Sequence, residues 1–458
     1  MVKKFTIILA VMLGVYILTA TISSTLAFVN LKKIKSQIKC STIGNTLNTI
    51  KTIRQETLLI RPLLKLFNGY NQKLKLLDFA GENPEILRDL LGINAEKNFL
   101  LVLQNNTELR PSGGIWGAYG IMKIKDCQIV SFQTNDTYYL DKPNRGKFSP
   151  PEGTESIIGD EWRFWNANWS PDFKKSVEQG LFFYKQIDPA IQFDGVIGPN
   201  VDYLLSLIKV SGPIKLADHD FLLDENNFIQ KMIYEPATPA VVEATKDQPN
   251  AISPTEKNYV IADIGKSIIN QIAASGKLYE MLDPTLQALS NKDFLLYFTK
   301  SQSQSAIEKI GWAGRLDPTD NFVSVVDANF GSKLDFQVDK TITITKIADR
   351  QYRVDLNYKN NANPKTNDQP FFTYRDFVRV FVPMGSSQLE QHGGQLASEI
   401  KFDDDTGLVY MSSMIILKPS EQETVSFTYE VSANLANKNL QVIRQSGQHA
   451  TIAENLHN

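Results

Sequence analysis

Phe5 to Phe28 runs for 24 residues without a charge, FTIILAVMLGVYILTATISSTLAF, and constrains the chain more than any later segment. A helix of that length rises about 36 Å, more than the roughly 30 Å hydrocarbon core of a bilayer. Lys3 and Lys4 precede it, and Lys32, Lys33, Lys35 and Lys39 follow. Thr25-Leu26-Ala27 would serve as a signal-peptide cleavage site, but the apolar region of such a signal is shorter, about 7–15 residues. The expectation is therefore an uncleaved transmembrane anchor at 1–31, in contact with the lipid bilayer, and one large soluble part. The flanking lysines alone would place that part in the cytoplasm.

The chain has 458 residues, too many for one ordinary core. Its composition, 42% apolar and 21% charged, is that of a globular protein. Lysine and arginine number 48 against 50 acidic residues, which lacks the basic excess of a nucleic-acid binder. Cys40 and Cys127 are too few for a zinc site or a disulfide framework, and either one bridge or two free thiols is open.

After the anchor, 32–94 reads as a membrane-proximal helical stalk. Residues 29–79 hold ten Lys/Arg against Glu56 and Asp78, suited to a solvated stalk or to anionic headgroups. In NPEILRDLLG, Asn83 suits a cap, Pro84 the first turn and Gly92 the end of a helix. Phe99–Leu103 is an apolar strand. Ile115–Lys125 and Gln128–Thr134 alternate as a hairpin turning at Asp126-Cys127. Ser170-Pro171 opens a helix, FDGVIG is a short buried strand, and PNVDYLLSLIKV is a helix stopped by Ser211-Gly212-Pro213. Ser253-Pro254-Thr255-Glu256 opens a further helix to about Ala274. Strands alternating with helices predict an α/β layered domain over 95–316. The pattern changes at Leu316–Asn321. KTITITKI, QYRVDLNY, DFVRVFVPMG, LVYMSSMIIL and ETVSFTYEV then predict a β-sandwich over 317–433, followed by a patternless tail at 434–458.

No Walker loop, dinucleotide fingerprint or nucleophile elbow occurs, and the four histidines lack metal-ligand spacing. One polar cluster stands out, NNTELRPSGG at Asn105–Gly114, placed where a buried strand emerges. Arg110 suits a bidentate grip on phosphate or carboxylate, Glu108 suits a base or cation ligand, and Gly113 and Gly114 leave room for a ligand. A structural reading stands beside this one: Arg110 pairs with Glu108, Asn105 and Asn106 satisfy backbone, and the glycines form a bulge. Asp136 ends the neighbouring strand. Asp172 suits a site or simply the positive end of a helix, and Asp194 a site or a turn. Asp403–Gly407 reads as a hairpin turn. Trp162, Trp165 and Trp169 suit sugar stacking or packing under a loop.

NFLLVLQNNTELRPSGGIWGAYGIMKI, NWSPDF, FDGVIGPN, VSGPI and VDANFGSKLDF, over about 95–385, resemble the bacterial domain of unknown function 4012 family. That resemblance implies a single-span envelope protein with a C-terminal β domain outside the cytoplasm, of unassigned activity, and exterior placement is the expectation adopted. The order of elements is more remotely similar to the LytR-CpsA-Psr phosphotransferases, which move glycopolymers from polyprenyl-pyrophosphate lipids to peptidoglycan. Arg110 stands where that family has its first Arg, but Pro-Ser-Gly-Gly follows instead of an Asp. Asn135-Asp136-Thr137 stands where it has Arg-Asp-Thr. An Arg and an Asp are thus absent, which weakens a grip on pyrophosphate and removes a magnesium ligand. Two functions remain as expectations. One is an envelope module that binds an anionic or glycan ligand or scaffolds at the surface. The other is a transferase with Glu108 or Asp136 as base or Mg2+ ligand and Asn105, Arg110, Gly113, Gly114, Asn135, Asp172 and Asp194 around the substrate.

Overall fold

The computed structural model describes residues 52–55, 57, 78–144, 146–151, 154–216, 221–234, 264–265, 267–268, 270–271, 280–316, 318, 320–331, 333–363, 372–396 and 399–456. The expected anchor, Cys40, most of the stalk and the capping box at 253–256 lie outside them. Among the described residues no helix is long and apolar enough to cross a membrane. The chain divides into two compact units, one of 1–98, 122–131 and 300–310, the other of 99–121, 132–299 and 311–458.

In the first unit, α1 (Pro84–Leu90) starts with Pro84 and ends before Gly92, whose φ is +62°. Asn83 does not cap it as expected; its amide donates instead to Phe79 O at 3.1 Å. The hairpin tip is held by Cys127 N–H on Leu91 O (2.7 Å) and Asp126 N–H on Gly92 O (2.8 Å). Asp126 and Cys127 both have positive φ, as a tight two-residue hairpin turn requires. Cys127 is disulfide-bonded.

The larger unit begins as mixed α/β. The first sheet has the order β3-β2-β1-β4-β5, from β1 (Lys97–Arg110), β2 (Gly113–Lys125), β3 (Gln128–Asp136), β4 (Gly195–Pro199) and β5 (Phe294–Phe298). β1 and β4 run parallel with Phe99 opposite Gly195, and β5 returns antiparallel. Helices α2 (Phe173–Lys185), α3 (Val201–Ser211) and α4 (Leu282–Asn291) connect or follow these strands. Apolar faces of β1, β2 and α2 close a core around Trp116, Phe164, Phe173 and Phe183.

Two expectations change here. The strand at Phe99–Leu103 does not stop at the polar cluster but runs on to Arg110, because Gln104, Asn106, Thr107 and Arg110 are buried with partners. The cap of α2 is Asp172, which accepts from Lys174 N–H at 2.9 Å, rather than Ser170. A side-chain oxygen two residues before an N–H reaches it from Asp172, while Ser170 accepts from Asp172 N–H at 3.3 Å.

Beyond residue 320 the chain is β-rich, as its alternation predicts. One sheet has the order β10-β13-β8-β7-β15, and the other β11-β12-β9-β6-β14. The strands are β6 (Phe322–Val326), β7 (Val338–Lys346), β8 (Gln351–Asn360), β9 (Tyr374–Val382), β10 (Ser387–His392), β11 (Lys401–Asp403), β12 (Leu408–Leu417), β13 (Gln422–Glu430), β14 (Gln441–Val442) and β15 (Thr451–Asn455). Inward residues of both sheets, such as Ile342, Val354, Phe427, Val378 and Met411, share one core. The last residues are not a loose tail, since β14 pairs parallel with β6 and β15 with β7. Those strands are too short and polar to show as periodicity.

Candidate functional site

The cluster Asn105–Gly114 is assembled on the end of β1 and the start of β2. Arg110 is 6% exposed. Its guanidinium donates to Glu108 Oε1 (3.0 Å), Asn166 Oδ1 (3.1 Å), Leu109 O (3.2 Å) and Asn329 O. Four of its five N–H groups are thereby used inside the protein. The structure therefore differs from an open anion clamp: the fork and the carboxylate expected to serve ligand and metal face each other.

The neighbours are committed in the same way. Asn105 Oδ1 accepts from the backbone N–H and hydroxyl of Thr107. Asn106 Oδ1 accepts from Val201 N–H, and its amide donates to Asp202 Oδ2 (2.7 Å) and Gly447 O (3.1 Å). A Cβ on Gly114 would lie 2.0 Å from the Asn105 carbonyl carbon, and one on Gly113 2.3 Å from Gln104 Oε1. The glycines thus permit strand-to-strand approach, and the space beside them is already filled.

The remaining candidates are not gathered around Arg110 by any contact. Asn135 bonds the Tyr119 hydroxyl, whose pKa is raised by burial against that bond. Asp136 closes β3. Asp172 caps α2 and lies 3.5 Å from Arg315 Nε; burial holds its carboxyl above the usual range even though Arg315 pulls the other way. The Asp194 carbonyl accepts from the backbone N–H and hydroxyl of Thr299. Trp169 packs on Phe377 with ring planes 11° apart and beneath Arg379, and Trp162 packs on Phe183. Asp403 accepts from Thr406 in the expected turn. Among the described residues no group of three or more His, Cys, Asp or Glu is disposed to hold a metal ion.

Sequence reasoning missed the segment after β14. Ligands of α/β sheets enter at the carboxyl ends of parallel strands, and here residues 444–449 occupy that end of β1 and β4. His449 Nε2 lies 2.8 Å from Asp202 Oδ2 and its ring stacks on Phe336. Gln445 Nε2 donates to Arg110 O (3.0 Å), and Ser446 donates to Lys292 O. Lys292 is pushed down to about 8 by burial, with Asp172 opposing and Arg444 assisting. Only the amides in RQSGQH hinted at this, since buried backbone groups need such partners.

An open surface does exist in the β-rich part. Edge strand β10 and the loop after it line a groove of about 810 Å³. Gln388, Gln391 and Gln395 supply amides, Leu389 and Leu396 are exposed apolar side chains, and Glu390 and Glu399 are its charged members.

Residues 94–236 match the model of a family described as protein of unknown function (DUF4012). No curated protein matches the chain. Among solved structures, the Lin1025 protein from Listeria innocua is 12% identical with a TM-score of 0.24, over 48% of this chain and 78% of its own. Protein gbs0355 from Streptococcus agalactiae is 13% identical with a TM-score of 0.28, over 48% and 73%. At those scores neither likeness bears on fold or function. The strand with the Arg110 cluster, the hairpin, α2, β4 and α3 all lie within the segment that matches this family's model.

Proposed function

We propose that the protein is a non-catalytic module of the bacterial cell envelope, anchored through 5–28, that holds a protein partner at the groove beside β10. The internal commitment of Arg110 carries this reading. A pyrophosphate-transferring site needs cations free to meet developing charge, and here the fork is shared among Glu108, Asn166, Asn329 and Leu109. The edge of β10 presents backbone groups to an added strand. Glu390 and Glu399, with no lysine or arginine in the lining, favour an extended segment carrying basic residues. The Cys127 disulfide supports an oxidising compartment, hence the outer face of the membrane, against the lysine count.

A photo-crosslinking residue at Gln391, introduced in cells, tests the proposal against the same residue at exposed Phe182. The expected result is one discrete adduct at Gln391, lost in Leu389→Asp and Leu396→Asp. Equal labelling at both positions counts against the groove. Turnover of a polyprenyl-pyrophosphate donor by the unmodified protein with Mg2+ or Mn2+ would overturn the non-catalytic reading.

A further inference from the structure

The β-rich core contains a cluster of ionisable groups that the proposed function does not use. Lys340 on β7 is buried, and its Nζ lies 2.6 Å from Asp335 Oδ1 and 3.1 Å from Asp327 Oδ2. Asp327 follows β6 in the opposite sheet. Asp376, on β9, is fully buried and directs its carboxyl to Asp327. Neither Asp376 oxygen accepts a hydrogen bond. One ammonium and three carboxyls in a dry core form a costly arrangement.

The two carboxylates beside Lys340 differ in their surroundings. Asp335 accepts from Leu109 N–H (2.8 Å), Asn329 Nδ2 (2.7 Å), Lys340 and the Tyr374 hydroxyl (3.2 Å). Its Oδ1 is shared by Lys340 and the Tyr374 hydroxyl, and its Oδ2 by Leu109 N–H and Asn329 Nδ2. Asp327 Oδ1 accepts from the Tyr358 hydroxyl at 2.7 Å, while Oδ2 accepts from Lys340 and from Gln448 Nε2 (2.9 Å). A tetrahedral oxyanion on Asp327 Oδ1 would already face the Tyr358 donor.

We propose that Lys340 and Asp327 condense into an intramolecular amide, with Asp376 carrying the proton. The bond formed joins Lys340 Nζ to Asp327 Cγ, and the bond broken is Asp327 Cγ–Oδ2. The ammonium gives up two protons and Oδ2 leaves as water. Asp376 donates its proton to Oδ2 and recovers one from the nitrogen, so it ends unchanged. Ammonium plus carboxylate gives amide plus water, with no oxidant or co-reactant.

Asp376 is suited to this task, because burial and then the Asp327 charge raise its pKa well above the carboxylate range and keep it protonated. Burial works against the charge on Lys340, yet Asp327 and Asp335 hold its pKa above the ordinary lysine value. The neutral amine is therefore a minor species, and the bond forms slowly, once per molecule. Fixed contact between the reacting groups compensates through a high effective concentration. The product removes two opposite charges from the core and ties the two sheets together covalently.

The mass of the denatured full-length protein tests this. The expected value is one water below that of the sequence with its disulfide, with trypsin failing to cut after Lys340 and a branched peptide joining the segments of residues 327 and 340. Lys340→Ala and Asp376→Asn should both restore the full mass. Asp376→Asn, which keeps the shape of the side chain, should do so while still unfolding cooperatively. A wild-type chain of full mass overturns the proposal, and so does a water loss confined to one peptide. The wild-type measurement decides the matter even where Lys340→Ala does not fold.

Discussion

Arg110→Ala separates a strut from a ligand clamp. Removing the guanidinium leaves Glu108, whose side chain is 18% exposed, without its ion-pair partner. It also leaves Asn166 Oδ1 and Asn329 O without the donors that Arg110 supplies. Breaking a buried ion pair by removing one partner costs about 3–5 kcal/mol. Glu108 keeps some access to water, which favours the lower end, while bare buried acceptors cost about 1–3 kcal/mol each before water enters the space. A loss of about 4 kcal/mol follows, and with roughly 2–4 °C per kcal/mol in a domain of this class the melting temperature falls on the order of 10 °C. Arg110→Lys keeps a charge near Glu108 but loses the fork, so it should fall between the two. The assay is thermal and denaturant unfolding, with and without inorganic pyrophosphate. A clamp would bind the anion, and ligand at a hundredfold excess over its Kd adds about 2.7 kcal/mol. An Arg110→Ala midpoint equal to wild type, or pyrophosphate stabilising wild type and not the variant, would refute the strut.

Other perturbations probe the same framework. Asp172→Ala should cost about 1 kcal/mol through the lost helix cap. Burial raises the Asp172 carboxyl, so its contribution is full below its unfolded value of 3.8 and is lost as pH rises toward the native pKa. Asp172→Asn keeps a cap and cannot ionise; its denaturant midpoint should gain on wild type between pH 4 and 7, and a constant gap argues against this. Gly114→Ala should prevent folding, because the new Cβ meets backbone at 2.0 Å, whereas Gly117→Ala, with nothing within 4 Å, should keep or slightly raise the melting temperature. Gln445→Ala strips Asp327 N–H, Asp327 O and Arg110 O of their partner and should cost about 3 kcal/mol or more; a smaller loss in denaturant unfolding would show that water replaces the amide.

The elements legible in the sequence are those whose side chains alternate or whose ends carry turn chemistry. The hairpin at Asp126-Cys127, the stop at Gly212 and the long strands β7, β8, β9, β12 and β13 follow from local rules, and the structure contains them. The sequence pattern ends β1 at Leu103 because Gln104–Arg110 is polar, and polarity usually marks a strand's exit from the core. Here the burial is polar on polar: Asn106 meets Asp202 and Gly447, and Leu109 N–H meets Asp335. Those partners lie from 96 to 341 residues away, and no window along the chain contains both sides. The same distance hid the role of residues 444–449 and made Arg110 look available. The pairing of Arg110 with Glu108, two residues apart on one strand, was the part of the site within reach of sequence reasoning.

The length of β1 explains why the cluster exists. β1 has 14 residues while its parallel neighbour β4 has five, and their pairing runs out at Gln104 and Asn200. Past that point, among the described residues, the β4-facing backbone of β1 has no sheet partner, and buried backbone groups must find one. The β-rich part supplies it: Leu109 N–H bonds Asp335, Leu109 O accepts from Asn329 N–H, and Arg110 O accepts from Gln445. Asp335 also holds Lys340, so the strand that leaves the α/β sheet ends against the ion cluster of the β core. Polar residues at the end of β1 are thus the chemistry of a joint. Force on the β10 edge would pass through the β core to that joint, which is where a Lys340–Asp327 amide would resist separation of the sheets.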